Sequence, residues 1–530
     1  MSHVARAAKH LLGNIRYFSD LVICLRLRRY QVEPIEAVLD SILQCHGHEY
    51  LLIFPRQSGK NEAVAQLLTY LLNLFQRVGG NVIYGATGAN LGMGIERLED
   101  RLDNGWNRGQ WVKKTKPARR CLGQACVVFL SSHPAASTRG QTARLLLVLD
   151  ETQDQVGPHI EAVFTPMRAA YNATALYIGT VKTTHDYLWQ KKLELERETA
   201  RDGVRRVYLV GPEEVTRDNP AYKAFLDAQV RKHGRHHPIV ASEYYLEPID
   251  GAGGLFPERR RLLMRGAHAR LSAPVTGEIY VATLDVAGED EAATDPIARL
   301  QRPARDYTLA TVFRVVFPAP GVYAAGPTYE AVDVFVDQGT KHFQDHAGRP
   351  ALAHQLLAWL TAWGVGHLVA DESGVGQGLT SWLAAALGSH LVTGFDFAGP
   401  GKKAGLGSLF LSLVETGRFH YWTGDEEIPL SDGWWFWRQV EACTYDLPPD
   451  GRFDRDLRWE VPAGHKTPVP DGVGATPRGC PTHDDRLLSA ALVAELDRLY
   501  RTQGLIIGQA ESAVVPGRDP YDAREMGEVF

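Results

Sequence analysis

Two sets of charged residues in this chain have the types and spacing that phosphate chemistry needs. In the first, Ser58, Gly59 and Lys60 stand where an apolar run, Leu51 to Phe54, breaks at Pro55 and apolar residues resume at helical spacing through Val64, Leu67, Leu68, Leu71 and Leu72. A strand, a tight turn and a helix in that order aim successive backbone N–H groups at one anion, and a lysine at the turn reaches the outer phosphates of a nucleotide. Two positions depart from the usual pattern: Phe54 stands where glycine is expected, and Asn61 replaces the Ser or Thr whose hydroxyl would touch magnesium. Taken alone, the loop is equally well an ordinary strand-to-helix turn.

A second element decides between these readings. Leu145 to Glu151 reads LLLVLDE, a short apolar run that suits a central parallel strand and ends in adjacent carboxylates. Ligands of open α/β sheets bind at that end. Asp150 is expected to hold magnesium, directly or through water, and Glu151 to orient the water that attacks a γ-phosphate. With the Lys60 loop upstream, the pair points to ATP hydrolysis. Thr180, at the end of ALYIGT, is placed to sense the γ-phosphate or simply to cap a strand. Gln31, beside Tyr30, has an amide able to read adenine or to sit exposed at a helix start. Arg139, in the loop Ser137 to Thr142, is a candidate finger toward a neighbouring subunit.

The second set lies downstream. Asp285 ends the strand Glu278 to Asp285, with Tyr307 to Phe317 and Tyr329 to Phe335 as antiparallel neighbours in a meander. His354 to Trp363 reads as a helix, and His367 to Ala370 as a short strand leading to Asp371. Asp484 and Asp485 open an apolar helix, a place where negative charge is also favoured for purely structural reasons. Acids at two strand ends and one helix start, in the order meander, helix, strand, helix, match the arrangement of an RNase H-like nuclease. Clustered carboxylates stay ionised together only when cations neutralise them. Two divalent ions about 4 Å apart would activate the attacking water and stabilise the leaving oxygen.

The elements that carry these residues need two cores. The chain has 530 residues, 45% of them apolar, which exceeds one hydrophobic core. The expected division is an ATPase domain at 1–250, a linker at 251–275 through the flexible joint Asp250 to Gly254, a nuclease domain at 276–502 and a flexible tail at 503–530. Net charge is −5, so any nucleic acid must meet local basic patches, such as Lys113, Lys114, Lys116, Arg119 and Arg120, which otherwise form a solvated face. Six scattered cysteines, with only Cys121 and Cys126 close together, read as reduced thiols. No run suits a membrane span and no signal-peptide pattern opens the chain. His233, His236 and His237 lack metal spacing and read as surface residues. Tyr445 to Pro481 reads as a hairpin-bearing loop that partly covers the nuclease cleft.

Seven motifs in order, Tyr30-Gln31, RQSGKN (Arg56 to Asn61), LLLVLDE, YIGT (Tyr177 to Thr180), TLDVAG (Thr283 to Gly288), VADESGVGQG (Val369 to Gly378) and HDDRLLSAAL (His483 to Leu492), give the chain its resemblance to the large terminase subunit of tailed bacteriophages. That resemblance implies α/β architecture: an N-terminal P-loop ATPase of the additional-strand class with a parallel-type sheet, and a C-terminal RNase H-like nuclease with a mixed sheet. It implies ATP-driven movement of double-stranded DNA into a procapsid and cutting of the concatemer, with ATP and Mg2+ as cofactors and Mn2+ able to replace magnesium in the nuclease. Carried over by position, Gln31 is the adenine reader, Arg56, Gln57, Ser58, Gly59, Lys60 and Asn61 form the phosphate loop, Asp150 holds metal, Glu151 is the catalytic carboxylate and Thr180 couples. Asp285, Asp371 and one of Asp484 or Asp485 are the nuclease metal ligands, with Asp306 as a fourth. Partners implied are DNA, a portal protein and a small terminase subunit, with a monomer in solution, a ring on the portal, and residence in the host cytoplasm rather than the mature virion. The rival readings are a DNA-repair or defence helicase-nuclease, which needs a second nucleotide-clasping domain, and a chain whose second half only grips DNA.

Overall fold

The computed structural model describes residues 9–136, 138–287, 307–319, 326–345, 348–448, 451–469 and 480–503. Asp306, Ser137 and the tail beyond Gln503 lie outside them. The chain divides into two compact units, Met1–Val230 with Pro238–Gly251, and Arg231–His237 with Ala252–Phe530.

The first unit is built on eight strands: β1 (Glu49–Ile53), β2 (Gly80–Ala86), β3 (Trp111–Thr115), β4 (Ala118–Leu122), β5 (Ala125–Ser131), β6 (Leu146–Leu149), β7 (Thr174–Gly179) and β8 (Val207–Leu209). Their order in the sheet is β3-β4-β5-β2-β6-β7-β1-β8. From β5 to β8 all pairings are parallel, and only β3 and β4 at one edge pair in antiparallel fashion. β6 is buried at all four positions and lies in the interior of the sheet, as its unbroken apolar run demands. One strand, β7, separates the phosphate-loop strand β1 from the acidic strand β6. That insertion is the topology of the additional-strand class. Helix Lys60–Phe75 packs against this sheet with every residue from Ala63 to Asn73 buried. At the antiparallel edge Cys121 and Cys126 face each other in register and form a disulfide, correcting the expectation of reduced thiols for this pair, while Cys24, Cys45, Cys443 and Cys480 are free.

The second unit opens with β9 (Ala252–Gly254), helix Glu258–Met264 and β10 (Arg265–Ala269), followed by β11 (Ile279–Asp285), β12 (Thr308–Val316), β13 (Thr328–Asp337), β14 (Leu368–Asp371), β15 (Val392–Phe395) and β16 (Phe419–Thr423). Seven of these form a sheet of order β10-β16-β13-β12-β11-β14-β15. β11, β12 and β13 are the antiparallel meander, and β14 and β15 extend it in parallel from β11. This is the strand order of an RNase H-like core, with β10 and β16 added beyond the meander. The segment 251–275, expected as a linker, is instead built into the unit: β9 pairs with β17 (Thr444–Asp446), β10 pairs with β16, and Arg259 and Arg260 both bond the buried Glu415 carboxylate. Of the expected loop 445–481, β17 pairs with β18 (Arg458–Glu460), and β19 (Lys466–Thr467) pairs with β20 (Cys480–Pro481) as the base of a hairpin whose tip is outside the described residues.

The histidine group is also corrected in part. His236 is exposed, but His237 is fully buried with Nε2 bonded to the Ser408 carbonyl at 2.9 Å, and His233 Nδ1 lies 2.8 Å from Ser412 Oγ. Burial lowers His237 to about 4 and His233 to about 3, the nearby charges of Arg260 on the one and of His237 and Lys232 on the other acting in the same sense. The unfolded chain therefore binds these protons below about pH 6.5 while the folded chain refuses them, so stability is full above that pH and falls as pH drops toward 4. Each histidine contributes a slope of about 1.4 kcal/mol per pH unit in that window. His237→Gln keeps a donor for the carbonyl and removes one titration. Its melting temperature is expected to fall less steeply than wild type between pH 6.5 and 4; parallel curves would refute the assignment.

Candidate functional site

The first site forms at the carboxyl ends of β1, β6 and β7. Pro55 ends β1, and Gln57 and Gly59 take left-handed backbone angles, φ 59° and 85°, which turn the chain into helix Lys60–Phe75. A Cβ at Gly59 would lie 2.8 Å from Gln31 Nε2, so a side chain there would collide with the residue that braces the loop. Gln31 donates to the Gly59 carbonyl at 2.9 Å and accepts from Arg28 N–H at 2.9 Å, while Tyr30 OH donates to the Ser58 carbonyl at 2.6 Å. Both ends of the Gln31 amide are thus engaged within the chain. Tyr30 and Gln31 shape the phosphate loop, and neither is turned outward to read a base.

The chemistry converges on Lys60. Its Nζ lies 3.3 Å from each Glu151 carboxylate oxygen and 3.3 Å from Thr180 Oγ1. Glu151 adopts a left-handed backbone (φ 48°), a cost of roughly 1–3 kcal/mol that functional sites tolerate when their surroundings over-determine it. Its carboxylate accepts from Gln153 Nε2 at 2.6 Å; Gln153 Oε1 in turn accepts from Thr180 N–H at 3.2 Å, crossing over Gly179 where a Cβ would come within 2.3 Å of it. Burial pushes the Glu151 carboxyl up, but the Lys60 charge and the Gln153 and Lys60 hydrogen bonds outweigh it and hold it below its ordinary value. The carboxylate is ionised and fixed in orientation, the state required to position a water for in-line attack.

Asp150, fully buried, behaves in the opposite way. Burial first and then the Glu151 charge raise it to about 6. Its Oδ2 accepts from Tyr84 OH at 2.6 Å and Asn61 Nδ2 at 3.2 Å, and its Oδ1 accepts from Glu151 N–H at 2.9 Å. Asn61 Oδ1 is buried beside it with no hydrogen-bond partner. An orphaned carbonyl oxygen next to a carboxylate is an oxygen pair suited to magnesium. Asn61 and Asp150 therefore fit that ion, which when bound would neutralise charge on the phosphates. Asn61→Ala removes the orphan oxygen. It is expected to raise the magnesium concentration for half-maximal ATP hydrolysis about tenfold, with nucleotide binding in EDTA unchanged, as read by titration.

Arg56 is turned elsewhere. Its guanidinium bonds Glu243 at 2.8 and 3.0 Å, its N–H donates to the Glu243 carbonyl at 2.9 Å, and its own carbonyl accepts from Tyr222 OH at 3.1 Å. Arg56 is held at the rim of the loop by that acid, with its side chain 57% exposed. Arg139 is exposed in its loop.

The second site lies in the other unit. Leu284 pairs with Ala370 in parallel register, so Asp285 and Asp371 follow side by side at the ends of adjacent strands. Val286 N–H and Ser373 N–H both donate to the Asp371 carboxylate. Ser489, one turn into the helix that begins at Asp485, bonds Thr311 Oγ1 at 2.9 Å and Thr283 Oγ1 at 3.4 Å, laying that helix across β11 and β12. Asp485 is buried and accepts from Tyr307 N–H at 3.0 Å, whereas Asp484 pairs with Lys403 at 3.4 Å. Burial, then the charges of Asp485, Asp371 and Asp484, hold the Asp285 carboxyl well above its ordinary range. Burial and the charge of Asp396 also raise Asp371.

Among the described residues no three His, Cys, Asp or Glu side chains form a ready ligand group for one ion. The expected set is nonetheless gathered, since the charges of Asp485 and Asp371 act on the buried Asp285 carboxyl. What the acids fit is magnesium held by one or two carboxylates with water completing the shell, as that ion commonly is. Asp285 with Asp371 or Asp485 would supply them, and the bound ion would polarise the phosphate and a nucleophilic water. Asp306 lies outside the described residues.

No protein-family model and no curated protein matches the chain. Solved structures do. Among them are bacteriophage large terminases. The HK97 large terminase matches over 92% of this chain and 99% of its own, at 14% identity and a TM-score of 0.38. The large terminase of a thermophilic bacteriophage in complex with ADP matches over 81% and 98%, at 10% identity and 0.39. The large terminase nuclease of the thermophilic phage G20c with bound magnesium matches over 46% and 96%, at 16% identity and 0.29.

Several residues escaped the sequence reading. Gln153 lies two positions after Glu151 and was open to local inspection, as was Lys403 in the run Gly-Pro-Gly-Lys-Lys that opens a helix. Tyr84 reaches Asp150 only because β2 neighbours β6, and Glu243 reaches Arg56 across the fold; neither leaves a local signal.

Proposed function

We propose that this chain is a large terminase subunit, in which ATP hydrolysis at Lys60 and Glu151 drives double-stranded DNA into a procapsid and the Asp285 centre cuts that DNA with divalent metal. The convergence of Lys60 Nζ on Glu151 and Thr180, at 3.3 Å each, carries the reading. A cation for the outer phosphates, an ionised base for water and a hydroxyl at the end of the inserted strand meet at one point, which is what phosphoryl transfer requires. Thr180, bonded to both Lys60 and the Phe54 carbonyl, is the residue through which the loop and the inserted strand respond together. The acid centre of the second unit supplies the other half, since carboxyls crowded and raised on neighbouring strands suit a divalent cation and metal-assisted phosphodiester cleavage.

The same reading carries a portal protein and a small terminase subunit as partners, a ring of copies on the portal, and action in the host cytoplasm. No described helix is long and apolar enough to cross a membrane. A helicase-nuclease would need a second nucleotide-clasping unit; among the described residues the second sheet carries acids at its strand ends and no phosphate loop. The test is a pair of assays on two variants: ATP hydrolysis and plasmid cleavage for Glu151→Ala and Asp285→Ala. Each variant should lose one activity and keep the other. Loss of both in either variant, or of neither, would refute two separate centres.

A further inference from the structure

Beside the acid centre of the second unit lies a cavity of about 450 Å³ that neither reaction uses. Lys403, Arg455 and Arg458 line it, together with Gly399 and Gly401. Asp456 is the only acid among the described lining residues, and its Oδ2 accepts from Arg452 N–H at 2.7 Å on its own loop. Arg455 and Arg458 are exposed and make no ion pair among the described residues. Two unpaired guanidinium groups thus face one space beside Lys403, whose ammonium is shared with Asp484, and their local positive field attracts an anion.

The walls are held in place. Trp459, next to Arg458 on β18, is buried, donates Nε1–H to the Lys403 carbonyl at 2.8 Å, and carries the Lys403 ammonium 5.4 Å above its ring. A Cβ at Gly407 would come within 2.5 Å of the Trp459 indole nitrogen, so the glycine makes room for that packing. Alternation along β18 then turns Arg458 away from the core on the opposite face to Trp459. Lys403 belongs to both places: it lines the cavity and its Nζ lies 3.4 Å from Asp484 Oδ2. The cavity is therefore joined through Lys403 to Asp484, the neighbour of Asp485, and the Lys403 charge also acts on Asp285.

We propose that this cavity is a seat for a backbone phosphate of duplex DNA, adjoining the phosphodiester that the acid centre cuts, with Arg455 and Arg458 as its anion ligands and Lys403 as the link to the acids. The proposal rests on the nuclease reading above for what happens next to the seat, and stands apart from it for the seat itself. Contacts of this kind position DNA without reading its sequence, and each one adds about −0.9 to the slope of log affinity against log salt.

The experiment measures binding of a fluorescently labelled duplex to the full chain in Ca2+ across a salt series. Arg455→Gln with Arg458→Gln should weaken binding about tenfold or more at low salt and make the slope shallower by about one to two. Arg455→Lys with Arg458→Lys should restore most of the slope, which a merely structural role for the arginines would not. Unchanged affinity and slope in the glutamine variant would overturn the seat, and so would a lysine variant no better than the glutamine one. Should the glutamine pair fail to fold, Arg455→Glu alone, at an exposed position, reads the same slope. A wild type that binds duplex but cuts none with magnesium or manganese would remove the nuclease reading and leave the salt slope to judge the cavity.

Discussion

Glu151→Gln is expected to bind ATP as tightly as the wild type and to hydrolyse it about a thousandfold more slowly. The amide keeps the shape of the carboxylate and its contact with Gln153, so the phosphate loop and Lys60 remain placed. What disappears is the negative charge that orients a water for attack, a contribution of roughly a hundred- to ten-thousandfold in comparable sites. A second readout follows from the electrostatics. Asp150 is raised to about 6 by burial and by the Glu151 charge, so removing that charge lets Asp150 ionise at lower pH. The residual rate of the variant should therefore reach its plateau at lower pH than that of the wild type. Single-turnover hydrolysis across pH 5 to 8 measures both. A variant that keeps more than a tenth of the wild-type rate would remove Glu151 from the reaction, and one that fails to bind ATP would make its role structural.

Asp285→Asn is expected to lose DNA cleavage by at least a hundredfold while becoming more stable in EDTA. The loss follows from removing a metal-binding charge at the centre of the acid group. The gain follows from linkage. The folded-state carboxyl is raised well above the unfolded value by burial and by Asp485, Asp371 and Asp484, so the folded protein holds a proton that the unfolded chain gives up. That holding stabilises the fold at low pH and is lost as pH rises from about 4 through the folded-state value, so above about pH 4 the fold bears a growing cost for burying this ionisable group. The asparagine does not ionise and bears no such cost. In EDTA at pH 7.5 its melting temperature should exceed the wild type's by a few degrees, and magnesium should raise the wild type more than the variant. Equal melting temperatures in EDTA together with an equal magnesium response would show that Asp285 is neither crowded by charge nor a ligand.

Much of this arrangement was legible in the sequence because the signals were local. A run of apolar residues that stops at a carboxylate marks a strand end in an α/β sheet, and both LLLVLDE and YVATLD end in that way at β6 and β11. The phosphate loop announced itself through Pro55, Gly59 and Lys60 despite the missing Gly and Ser. What sequence hid depends on neighbours brought together by the fold. Gln31 has the residue type of a base reader, but its position beneath Gly59 engages both ends of its amide. Arg56 follows the strand as a phosphate ligand would, yet Glu243 holds it at the rim. Histidines in a polar run read as surface until helix Lys402–Glu415 covers His237. The run of Pro, Gly and charge around Arg455 read only as a loop, because a cavity is a property of walls contributed by separate segments.

The inserted strand β7 fixes the gauge of the nucleotide site. Neighbouring strands in a sheet stand about 4.8 Å apart, so the strand that leads to Lys60 and the strand that leads to Glu151 run roughly 9–10 Å from each other. The long side chain of Lys60 bridges that width to meet Glu151 at 3.3 Å, and its flexible four-carbon stem lets the ammonium swing to a terminal phosphate, freeing between the two strands the width that the phosphate and its incoming water must share.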